Sequence, residues 1–119
     1  MAEPIELLAK NLGIKLNTRG STLLVRRDDC AAIVDACVRR NILILGVEGF
    51  RIEGAYLRVL GDLIADFSRV LNNKTPWAET CQAAGKSAQS YLALPEAKSA
   101  DIWFEFVLED QPNDCHAGP

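Results

Sequence analysis

The chain predicts an α+β fold: a four-stranded, mainly antiparallel sheet with helices packed on one face, in a ferredoxin-like arrangement, preceded by an N-terminal helix. Three observations carry this. Residues 28–54, DDCAAIVDACVRRNILILGVEGFRIEG, read as a capped helix, an apolar strand and a second strand across a glycine pair. Residues 101–110 place Ile102, Phe104, Phe106 and Leu108 on one face, and Trp103, Glu105, Val107 and Glu109 on the other. The segment before them has helical spacing, so strand, helix, strand, strand, helix, strand is the expected order.

Taken in turn, residues 3–11 set Ile5, Leu8, Ala9 and Leu12 at helical intervals, with Gly13 as a stop. Residues 17–21, NTRGS, have the composition of a turn, and residues 22–26 that of a strand. Asp28 or Asp29 supplies the N-cap of the next helix, at the positive end of its dipole, while Arg39 and Arg40 suit its last turn. Residues 42–47 show no polar alternation, as in a strand buried on both faces. Gly46 and Gly49 imply a bulge or tight turn leading into a strand at 50–53, in which Phe50 and Ile52 point one way and Arg51 and Glu53 the other. Leu60, Leu63, Ile64, Phe67 and Leu71 have helical spacing, which predicts a helix over 59–71. A further helix begins with Thr75 as N-cap and Pro76 at the first helical position, its inward stripe being Trp77, Cys81, Ala84, Ala88 and Tyr91. Residues 1–110 make one domain, and 111–119 a disordered tail.

A chain of 119 residues can bury a core without staples. No apolar run approaches the roughly 18 residues that span a bilayer, and Glu3 and Glu6 stand where a secretory signal carries basic residues, so no membrane association and a cytoplasmic location are expected. Cys30 and Cys37 lie two helical turns apart on one face, a packing pattern. Cys115 and His116 are adjacent, but no second ligand pair matches them, which argues against a metal site. No cofactor motif is present: the glycines at 46, 49 and 54 lack P-loop spacing.

The net charge of −3 is unevenly spread. Residues 1–41 carry seven basic and five acidic side chains, whereas 42–119 carry six basic and eleven acidic. No basic residue follows Lys98, while Asp101, Glu105, Glu109, Asp110 and Asp114 accumulate. Such a surface repels phosphate backbones and attracts a basic protein. Catalysis finds little support, because His116 is the only histidine, neither Cys30 nor Cys37 has a base in view, and Glu48 and Glu53 sit beside a turn where acids are usually solvated. A binding surface is easier to build: Trp103, Glu105 and Glu109 on the sheet face away from the helices, joined by Arg51 and Glu53 from the neighbouring strand, with Glu48 of the glycine turn behind them. Against it stands the packing of Trp103 beneath the N-terminal helix, with the acids merely protecting an edge strand.

The run CAAIVDACVRRNILILGVEGFRIEG, residues 30–54, resembles the helix, strand and turn of the immunity proteins that protect colicin producers from an anticodon-cleaving tRNase colicin. Ala31, Ala32, Ile33 and Cys37 carry the likeness in the helix, Ile44, Leu45 and Gly46 in the strand, and Phe50, Arg51 and Ile52 after it. It covers about a fifth of the chain. The resemblance implies a small acidic inhibitor that occupies the RNA-binding cleft of a nuclease toxin in place of the anticodon. This chain has a shorter connection between Gly46 and Phe50, and no binding residue is carried over. Two other classes remain open on the residues alone: a small-ligand regulatory domain binding near residues 47–49, and a structural or adaptor subunit, each expected as a homodimer.

Overall fold

The computed structural model describes residues 3–71 and 74–111. Its first helix, α1 (Pro4–Leu12), is entered through a hydrogen bond from the Glu3 backbone N–H to Glu6 Oε1 (3.1 Å) and ends at Gly13, whose φ of 71° suits glycine. Ile5, Leu8 and Ala9 are its buried stripe, lying near α2 and the last strand, whose ranges follow. The turn-like segment at 17–21 does more than turn. Asn17–Arg19 forms a short strand, β1, paired antiparallel with β2 (Thr22–Arg26) across the two-residue loop Gly20-Ser21. This fifth strand was hidden because its residues are polar, as edge strands tolerate.

A single 3-10 turn (Arg27–Asp29) leads into α2 (Cys30–Arg39). Asp29 occupies the N-cap but makes no capping hydrogen bond, its carboxylate lying 3.9 Å from Arg26. Of the bulge or tight turn expected at the glycines, residues 42–53 take the bulge and not the turn. They contain one long strand, β3 (Leu43–Glu53), in which the glycines mark irregular pairing rather than reversal. Each permits a close approach: a Cβ on Gly46 would come within 2.7 Å of the Ala65 carbonyl oxygen, and one on Gly49 within 2.9 Å of Leu63 Cβ. The chain reverses instead at Gly54-Ala55, with Gly54 at φ 62°.

The helix expected over 59–71 is absent. Residues Tyr56–Asp66 form β4, antiparallel to β3, followed by a 3-10 turn at Ser68–Val70. The pairing runs Phe50↔Val59 and then Glu48↔Ile64, so residues 60–63 bulge opposite Gly49. That bulge destroys the two-residue period and sets Leu60, Leu63 and Ile64 at intervals that imitate a helix. Tyr91 clamps it, donating its hydroxyl proton to the Leu63 carbonyl at 2.6 Å in a buried setting.

The last helix, α3 (Trp77–Leu92), starts one residue later than expected: Pro76, rather than Thr75, is its N-cap, and Trp77 anchors the entry by donating Nε1–H to the Asn41 carbonyl (2.6 Å). Gly85 does not interrupt its inward face. It lets α2 approach, since a Cβ there would lie 2.4 Å from Val38 Cγ2. A 3-10 segment (Pro95–Lys98) then leads to β5 (Ile102–Glu109).

The sheet order is β1-β2-β5-β3-β4, and every neighbouring pair is antiparallel. The α2 crossover links β2 to β3 around β5, and the α3 crossover links β4 to β5 around β3. Helices α2 and α3 pack on each other and on β3, burying Ile33, Val34 and Cys37 with Ala84, Ala88 and Tyr91 against Val47, Ile102, Phe104 and Phe106. Tyr91 meets Phe67 and Phe104 edge-on, at centroid separations of 6.4 and 6.0 Å. Among the described residues no helix is long and apolar enough to cross a membrane. The expected disordered tail falls mainly at 112–119, outside the described residues.

Candidate functional site

Register decides which side chains share the sheet face away from α2 and α3. Phe104 and Phe106 are buried in the core, so Trp103, Glu105, Val107 and Glu109 project from the other side of β5. Across the ladder, Trp103 stands opposite Phe50, Glu105 opposite Glu48, and Val107 opposite Gly46. Continuing to β4, Phe50 meets Val59, Glu48 meets Ile64, and Gly46 meets Asp66. The result is a surface in which Val59, Ile64 and Val107 are 48%, 53% and 46% exposed, beside partly buried Phe50 and Trp103.

Every charged side chain that β3, β4 and β5 place on this face through these pairings is a carboxylate: Glu48, Asp66, Glu105 and Glu109. None of the ion pairs between described residues involves Glu48, Glu105 or Glu109. Glu105 is held above the ordinary carboxylate range, first by burial and then by the negative charges of Glu48 and Glu3. A directly opposed Glu48–Glu105 pair disfavours the free sheet. Asp66 is pulled below the usual range, mainly by the Ser68 backbone N–H, which donates to its Oδ1 at 2.8 Å. Between these groups lies a hollow of about 400 Å³, lined by Leu45, Gly46, Glu48, Ile64, Asp66 and Val107 among others.

The sequence-expected site residues divide between two faces. Trp103, Glu105 and Glu109 share one face of β5 as expected, and Glu48, expected at a turn, joins them through its pairing with Glu105. Arg51 does not join them, because its cross-strand partner is the core residue Ile102, and Glu53 shares its parity. Both point to the helix side of the sheet, while Phe50 and Ile52, expected inward, lie with Trp103. A bulge between Ile44 and Gly46 advances β3 by one residue against β5, and one residue is enough to exchange the two faces. Arg51 lies 3.3 Å from Asp101, and Arg58 lies 3.7 Å from Glu53; the two arginines and Glu96 help line a second hollow of about 410 Å³. Trp103 is neither fully exposed nor sealed under α1; Lys15, Leu16, Asn17 and Thr18 line a hollow beside it.

Asp66, Val59 and Ile64 were missed because β4 was read as a helix. Val107 already lay in the alternation of β5, and the apolar residue among acids was its signal. The buried thiols of Cys30 and Cys37 are pushed up to about 12, chiefly by burial, so neither is a thiolate nucleophile at neutral pH. Among the described residues no group of three or more His, Cys, Asp or Glu side chains is placed to hold a metal ion. Cys115 and His116 lie outside those residues. What the arrangement offers chemically is recognition: an apolar surface on which β3, β4 and β5 place only carboxylates, bordered at Trp103 by Arg26 of β2 and Lys15. No family model, curated protein or solved structure matches this chain.

Proposed function

We propose that this chain is a small acidic protein-binding inhibitor of the immunity or antitoxin type, whose sheet face away from α2 and α3 occupies the basic substrate cleft of a nuclease. One observation carries the reading: the face formed by β3, β4 and β5 combines exposed apolar side chains with carboxylates alone. Isolated exposed hydrophobic residues are ordinary, but here Val59 stands opposite half-buried Phe50, and Ile64 and Val107 line one hollow further along the same face, beside the Glu48–Glu105 pair. Apolar anchors supply binding energy, and the surrounding carboxylates steer a basic partner and stand in for phosphates in its cleft. The interface we assign centres on Glu48, Trp103, Glu105 and Glu109, with Phe50, Ile64 and Val107. A ferredoxin-like plan would put the first and third strands of the strand-helix-strand-strand-helix-strand unit, β2 and β4, at the centre of the sheet, whereas β5 and β3 stand there, so the reading does not rest on that plan.

Co-expression tests it. A basic nuclease-like protein encoded beside this one should arrest growth alone and be neutralised by this chain, with association slowing as salt rises. A harmless neighbour would remove the proposal. Inhibition that survives Glu105→Lys with Glu109→Lys would remove the assigned face.

A further inference from the structure

We propose that the hollow floored by Gly46 receives one arginine or lysine side chain of the bound protein, its aliphatic stem on Ile64 and Val107 and its cationic head between Glu48 and Asp66. This deepens the inhibitor reading and rests on it for the partner's class. It is carried by the chemistry of the hollow's walls. Ile64 and Val107 are apolar and about half exposed, and Glu48 and Asp66 add carboxylates to the same cavity. An amphipathic side chain matches that sequence of surfaces, because lysine and arginine pack their methylenes on apolar area while keeping the charge at a polar rim.

Charge selects this occupant over the others. A second copy of the chain, docked face to face about a twofold axis, would bring Glu48, Glu105 and Asp66 towards their own counterparts, with the basic side chains of β3 and β4, Arg51 and Arg58, on the opposite face. Nucleic acid would meet the same carboxylates with phosphates. A purely apolar ligand would desolvate Glu48 without a partner, and Asp66 with no more than the donors it has from Ser68. Only a cation uses the apolar walls and the carboxylates together. It also offsets the repulsion between Glu48 and Glu105, which the free protein carries.

The test is a titration of the isotope-labelled full chain with a short Gly-Arg repeat peptide, followed by NMR at low and moderate salt. A peptide with citrulline in place of arginine serves as the neutral control. The expected result is that the largest shifts fall on Gly46, Ile64, Asp66 and Val107, and that the affinity drops at least about tenfold for citrulline and for the Glu48→Gln, Asp66→Asn double variant. Glu48→Gln alone should melt no lower than the parent, because it removes a like-charge pair, so a loss of binding is not a loss of fold. Shifts centred on the acids of the helices, Asp35 or Glu79, overturn the proposal. So does unchanged affinity in the double variant, or a sedimenting dimer that shields these amides. The two readings separate cleanly. Peptide binding here with no nuclease inhibited removes the inhibitor function and leaves the pocket, whereas a nuclease inhibited equally by the double variant removes the pocket and leaves the function.

Discussion

Replacing Tyr91 by phenylalanine tests how the sheet's irregular strand is held. The Tyr91 hydroxyl is 2.6 Å from the Leu63 carbonyl oxygen, at the point where residues 60–63 bulge away from β3. Phenylalanine keeps the ring and therefore its edge contacts with Phe67 and Phe104. What is lost is one buried hydrogen bond, leaving the Leu63 carbonyl without its donor. An unsatisfied buried acceptor costs about 1–3 kcal/mol. Spread over the unfolding entropy of a chain this long, that lowers the melting temperature by about 4–12 °C. Urea unfolding gives the free energy, and an unchanged slope against urea shows that the unfolded state is unaltered. Amide exchange at Leu63 and Ile64 should accelerate more than exchange in α2. A cost below about 0.5 kcal/mol, or uniform acceleration of exchange, would refute the idea that this bond secures the bulge. Because Ile64 is presented by the same bulge, the variant should also weaken the Gly-Arg peptide.

Gly85→Ala should destabilise by about 1–3 kcal/mol through overpacking against Val38, less the roughly 1 kcal/mol gained in helix propensity. Adding Val38→Ala should recover much of the loss, as a double-mutant cycle in urea would show. Cys30, Cys37 and Cys81 are buried, and burial raises all three thiols, so they should resist alkylation in the native protein and react on unfolding, as site mapping by mass spectrometry would reveal. Glu105 binds its proton more tightly folded than unfolded, so its contribution to stability rises as pH falls through the weakly acidic range; Glu105→Gln should abolish that rise in thermal melts. Asp66 and Asp101 act oppositely: their lowered values make contributions that are present above the ordinary carboxylate range and lost at more acidic pH.

Much of the fold is legible where one period dominates. The stripe and glycine stop of α1, the shared face of Cys30 and Cys37 on α2 and the alternation of β5 appear in the sequence because each element is regular and each buries one face. Trp103, Glu105 and Glu109 were readable as a set for the same reason. The errors gather on β3 and β4, where irregular pairing breaks the period. Leu60, Leu63 and Ile64 follow helical spacing although they belong to β4, and Arg51 shares the parity of Arg58 and Ile102 rather than of Trp103. Local pattern is blind to such a displacement, because a bulge is defined only against the neighbouring strand.

The sequence by itself determined the α+β class, the packing role of Cys30 and Cys37, and the acidic character of the last strand, since these follow from composition and from periods written along one segment. Tertiary structure alone decided which carboxylates meet. Glu48 and Glu105 lie far apart in the chain and become opposed through a register that includes a bulge, and Asp66 reaches their face only because β4 is a strand. Side-chain parity changes with every inserted residue, so the composition of a sheet face is a property of the paired strands and of no single one.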